Sequence, residues 1–102
     1  MLLTTCETID KKYEILGLVQ GNVVRSKNIG RDLMAGLKTL VGGEIKGYTE
    51  MMTETRSIAT QRMEEEAEKL GADAIIGMRY VSATVMQGAS EILAYGTAIK
   101  YK

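Results

Sequence analysis

The sequence predicts an α+β domain, a small antiparallel β-sheet with two helices packed on it. Three observations carry that reading. The stretches YEILGLVQGNVVR (13–25), AIIGMRYVSATVM (74–86) and SEILAYGTAIKY (90–101) are dense in β-branched and aliphatic residues, as strands are. Between the first two, apolar residues from Tyr48 to Leu70 recur every three to four positions, the period of a helix face. The last two strands are apolar on both faces, which a sheet with one solvated face avoids.

Taken in order, residues 1–5 read as a short strand and ETIDKK (7–12) as a polar connection. Tyr13 to Arg25 is a long strand that Gly17 and Gly21 allow to bend or bulge. A first helix is expected from about Ile29 to Val41, with Asn28 as N-cap and Ile29, Leu33, Leu37, Leu40 and Val41 on one stripe. Gly30 and Gly36 each cost about 1 kcal/mol relative to Ala inside a helix. Their presence points to a close neighbour. Gly42 falls where a left-handed C-cap is needed, and Gly43 loosens the exit.

The second helix, about Tyr48 to Leu70, aligns Tyr48, Met52, Thr55, Ala59, Met63, Ala67 and Leu70, with Met51 and Ile58 widening the stripe. Glu50, Glu54, Gln61, Glu64, Glu65 and Glu68 take the opposite side, and Glu65 precedes Lys69 by four, a favourable ordering. Gly71 ends the helix. The closing strands are joined by Gln87-Gly88-Ala89, where Gly88 offers a positive φ. Strict alternation puts Ile75, Val81 and Val85 on one face and Ile76, Met78 and Tyr80 on the other. In the last strand Ile92, Ala94 and Ala98 oppose Leu93, Tyr95 and Ile99. One layer of helices covers one face only, so the second apolar face calls for another cover, most simply a second copy of the chain.

Composition narrows the function classes. The chain is 102 residues, one domain spanning 1–102, with 13 basic and 13 acidic residues and so no basic excess for nucleic acid or an anionic membrane. No Phe, Trp or Pro is present; five Tyr are the only aromatics, and seven Met serve as adaptable core filler. The lack of His removes the usual general base and the commonest metal ligand together. A single Cys cannot form an internal disulfide, which fits a reducing compartment. MLLTTCET has the Leu-x-x-Cys spacing of a lipoprotein site but no basic lead and no apolar run for export, so a cytoplasmic protein is expected.

The stretch VGGEIKGYTEMMTETR (41–56) is the one that superficially resembles a phosphate loop. Such a loop needs Gly-Lys-Ser/Thr or a preceding strand, and here a helix is expected before it, with Glu44 repelling an anion. A hinge between helices is the better reading. Cys6 is the only thiol, and four donors cannot be assembled from one chain, so a soft metal ion would need Cys6 from several subunits. Glu64, Glu65, Glu66 and Glu68 point in different directions on a helix and read as a solvated face. Ser26, Ser57, Ser82 and Ser90 have no base to activate them, so no catalytic residue is assigned and a non-enzymatic protein is expected. Arg56 and Arg31 are candidates to clamp an anion or to form ion pairs across a boundary.

The chain resembles the YbjQ-like family, UPF0145, across its whole length. The residues that carry the resemblance are Arg31, Asp32, Gly36, Gly42-Gly43, Tyr48, Arg56, Ala67, LGADA (70–74), Gly77 and the AYGTAIK ending. The resemblance implies helices on an antiparallel sheet, assembled as a ring-like homopentamer, and brings a heavy-metal-binding label. The expectation is therefore a homo-oligomer, its own partner, that binds a small ligand at subunit junctions. Two alternatives stand beside it: a metal-binding protein using symmetry-related Cys6, and an enzyme with an inter-subunit site near Tyr48 and Arg56. No cofactor motif is evident beyond the soft metal ion.

Overall fold

A computed structural model describes residues 1–26, 40–41, 44–87 and 89–102. The element order is β1 (Leu2–Leu3), β2 (Tyr13–Ser26), β3 (Leu40–Val41), β4 (Glu44–Ile45), α1 (Lys46–Lys69), β5 (Ala74–Met86) and β6 (Ala89–Tyr101). Four strands form one sheet in the order β1-β5-β6-β2, and β3 and β4 pair separately. The class is α+β, as the strand and helix patterns require. The sheet is mixed, however, because β1 runs parallel to β5 through Leu2 opposite Ala74 and Leu3 opposite Ile75. A two-residue strand carries too little alternation to declare its direction.

The predicted helix over about Ile29 to Val41 lies mostly outside the described residues. Its end does not: Leu40–Val41 is a strand paired antiparallel with Glu44–Ile45. Leu40 and Val41 are β-capable, and opposite Ile45 and Glu44 their backbone groups are satisfied across a ladder instead of along a helix. The described residues thus contain one helix where two were expected. Arg31, Gly36, Gly42 and Gly43 fall outside the described residues.

α1 lies on the sheet through a stripe repeating every four residues: Met51, Thr55, Ala59, Met63 and Ala67 are all buried. Opposite them are Val19 and Val23 of β2, Ile75 and Met78 of β5, and Ile92, Ala94 and Ala98 of β6. Small helix residues permit a very close approach. A Cβ built on Gly21 would collide with the Ala59 carbonyl oxygen and the Met63 nitrogen, so helix backbone rests on strand backbone. Leu70, expected on the stripe, is 49% exposed because the helix has already ended. Lys69 pairs with Glu66 at 3.3 Å, one turn on the three-residue spacing, and not with Glu65.

The helix stops in a Schellman arrangement. Ala72 N–H donates to the Ala67 carbonyl and Gly71 N–H to the Glu68 carbonyl, each at 3.0 Å, while Gly71 takes φ 78°. Asp73 then fixes the entry to β5: its backbone N–H donates to the Ile99 carbonyl at 2.8 Å, and its carboxylate accepts from the Tyr101 N–H at 2.8 Å.

A bulge in β5 reverses the expected alternation. The register slips between Ile76 and Arg79, so Gly77 and Met78 together face Gly96. Ile75 and Met78 therefore both belong to the core under α1, and Ile76 turns to the other face with Ala74 and Ile99. Gly96 is required opposite the bulge: a Cβ there would stand 2.6 Å from Ile75 Cγ2 and 3.2 Å from the Ile76 oxygen. A second irregularity, between Ile15 and Gly17, places Leu16 against the main core.

Part of the sheet's other face is covered by the chain itself, a correction to the expectation that another copy covers all of it. Ile9 from the polar connection packs with Tyr13 and Tyr101 over Ala74, Ile76 and Ile99. One apolar residue within ETIDKK was enough to close that end.

Candidate functional site

The N-terminal segment is built onto β5 by the bulge. Thr4 N–H donates to the Ile75 carbonyl at 3.1 Å, Met78 N–H to the Thr4 carbonyl at 3.0 Å, and Gly77 N–H to the Cys6 carbonyl at 2.7 Å. Gly77 takes φ 60°, a left-handed conformation that turns its N–H toward Cys6. Arg79 completes the attachment. Its Nη1 donates to the Thr5 carbonyl at 2.8 Å, and its Nη2 lies 3.0 Å from Glu7 Oε1. Cys6 is held by its backbone, with its side chain exposed. Among the described residues no group of three or more His, Cys, Asp or Glu is placed to hold a metal ion. Glu7, the nearest carboxylate in sequence, is engaged with Arg79.

The sheet offers a second surface. On the face away from α1, register rows run Leu18–Thr97–Ile76, Gln20–Tyr95–Arg79, Asn22–Leu93–Val81 and Val24–Glu91–Ala83. Beyond the Ile9 cover, Leu18, Val24 and Val81 stand about half or more exposed, with Leu18 at 70%. Polar residues interleave them, including Asn22, whose amide donates to Glu91 at 2.9 Å. The face is thus less uniformly apolar than the two-sided reading of β5 and β6 implied. Two edges flank it. β2 ends the sheet on one side, and β1 pairs with β5 only at Ala74 and Ile75, leaving the stretch from Arg79 onward without a described neighbour on that side.

At the β2 edge, a groove of about 410 Å³ runs between the strand and the end of α1. Leu18, Val19, Gln20 and Asn22 form one wall; Glu66, Lys69 and Leu70 form the other. The volume falls within the range of small-molecule sites, about 300–1,000 Å³. Its lining couples one cation and one carboxylate to aliphatic surface.

Of the residues singled out from the sequence, Arg31 lies outside the described residues. Tyr48 lies in the first turn of α1. Arg56 is exposed on the same helix and donates to the Thr53 hydroxyl at 3.3 Å. Sequence reasoning passed over Arg79, although it is the only charged residue in AIIGMRYVSATVM and that isolation was a usable signal. The hydroxyl pair of Thr60 and Tyr80, 2.7 Å apart, had no such signal, since it depends on the bulge that turns Tyr80 toward the helix. No helix among the described residues is long and apolar enough to cross a membrane.

Comparison with known proteins places these features in a lineage. A family described as "Putative heavy-metal-binding" (YbjQ) matches residues 1–102. A UPF0145 protein of Thermotoga maritima is 65% identical over 102 residues, covering 98% of this chain and 96% of the relative. A UPF0145 protein of Vibrio campbellii is 62% identical, covering 98% of each. The fold is also similar to the crystal structure of a protein of unknown function in the DUF74 family from Pediococcus pentosaceus. That likeness has a TM-score of 0.72 at 24% identity and covers 100% of this chain and 98% of the other.

Proposed function

The chain belongs to the UPF0145 family, and from that premise we propose that it acts as a non-enzymatic homo-oligomer, a ring binding a small ligand where subunits meet. The observation that carries this reading is the pair of sheet edges that have no neighbouring strand among the described residues, beside a half-exposed apolar face. An edge strand presents unpaired backbone groups in register, and proteins that leave one long and uncharged risk uncontrolled pairing. Here β2 of one copy and the outer part of β5 of another are different surfaces. Contact between them is head-to-tail, and such contacts close into rings when the rotation allows. Five subunits is the number implied by the resemblance. The β2 groove, at the edge, would then lie at a junction and gain a wall from the neighbour. Light scattering at micromolar concentration tests this reading: the mass should be five times the 11.2 kDa of the chain. A mass equal to one chain overturns it.

A second reading is favoured by the exposed, backbone-anchored Cys6. Thiolates from several subunits would supply the soft donors that one chain lacks. Cys6→Ser should then abolish stoichiometric uptake of Zn²⁺ or Cu(I), whereas unchanged uptake would rule the thiol out.

A further inference from the structure

Arg25 stands apart from every other charged residue described. It lies at the end of β2 on the face that meets α1, following Val19, Gly21 and Val23 in the alternation. Its side chain is only 22% exposed, and its Nε is buried without a hydrogen-bond partner. Among the described residues the carboxylate paired with it is Glu54 of α1, which is 3.8 Å from Nη2, beyond hydrogen-bond reach, and 68% exposed. Arg25 makes no hydrogen bond among the described residues. A guanidinium cannot shed its proton to escape such a setting, and its buried Nε–H carries a desolvation penalty until an acceptor arrives.

We propose that Arg25 is the anchor of a binding site for a small oxyanion, a phosphate or a carboxylate group. The fork of N–H donors on a guanidinium matches two oxygens of such a group, and partial burial strengthens the contact. Two hydroxyls share its register row: Arg25 is opposite Ser90, and Ser90 is opposite Thr84. Both are exposed, and neither hydroxyl is committed to a protein partner among the described residues. The row therefore presents a cation and two hydroxyl donors on one face of three adjacent strands. Glu54 is placed to compete with the ligand, a long and solvent-facing ion pair that an arriving anion displaces.

The site is separate from the β2 groove and from Cys6, so it stands whether or not the oligomer reading does. Thermal unfolding with inorganic phosphate, against chloride at matched ionic strength, tests it, because a ligand of the native state raises Tm in a saturable way. A parallel titration with acetate separates phosphate from carboxylate preference, and a saturable response to either anion supports the site. Arg25→Gln should remove the response. Glu54→Gln should shift its midpoint about three- to tenfold lower in anion concentration, since it removes a competing charge. Identical midpoints in the wild type and Glu54→Gln, or no saturable response to either anion, would overturn the proposal. The Glu54→Gln arm decides the matter even if Arg25→Gln does not fold.

Discussion

Gly21 of β2 lies directly beneath the Ala59 carbonyl of α1, so close that no Cβ fits between strand and helix. This contact sets the spacing of the two layers. Any larger residue must push the helix backbone away, because the obstructing atoms belong to the main chain and cannot rotate aside. Gly21→Ala should therefore destabilise the protein by about 1–3 kcal/mol, the usual range for overpacking a tight core. Urea denaturation checks this, with a lowered midpoint at unchanged slope as the expected outcome.

Met63 fills the same interface from the helix side and is fully buried. Truncation to Ala removes packed volume that a backbone-to-backbone contact nearby cannot collapse to refill. A loss of about 2–5 kcal/mol is expected. Met86→Ser, at a residue 67% exposed, should change stability by under about 0.5 kcal/mol in the isolated subunit. The same denaturation curves compare the two.

Gly71 is set by conformation alone, since nothing surrounds the position a Cβ would take. Gly71→Ala should cost about 1–2 kcal/mol for the left-handed backbone. Gly71→Asn should cost less, because Asn tolerates that region. Equal losses for the two would point to sterics instead.

Arg79 is the clasp on the N-terminal segment, with both Thr5 and Glu7 in its grip. Arg79→Ala should raise hydrogen exchange at the Gly77 and Met78 amides, whose acceptors are Cys6 and Thr4. The global stability should fall by no more than about 1 kcal/mol, because the ion pair is exposed on both sides.

How much of this was legible follows from which signals are local. The α1 stripe and its glycine stop are short-range patterns, and Met51, Thr55, Ala59, Met63 and Ala67 fall where the period puts them. The β5 face assignment failed after Ile76 because one bulge residue inverts everything beyond it, and a bulge is a property of the pair of strands. The parallel attachment of Leu2–Leu3 and the cover by Ile9 are long-range contacts of the same kind. Leu40–Val41 shows the ambiguity of short apolar pairs, which suit a helix end and a strand equally until a partner appears. For the site, residue types alone pointed to Arg56, Arg31 and Tyr48. The unpartnered donor of Arg25 is visible only in three dimensions.

In the proposed assembly the sheet surface away from α1 joins copies of this chain, and Leu18 and Val81 stand on it at 70% and 46% exposure. Light scattering of the wild type beside a Leu18→Glu, Val81→Glu double variant, with circular dichroism to confirm folding, tests it most directly. A multimeric wild type and a folded variant reduced to the 11.2 kDa mass of one chain are expected. A folded variant with the wild-type multimeric mass, or a wild type already monomeric, would contradict it.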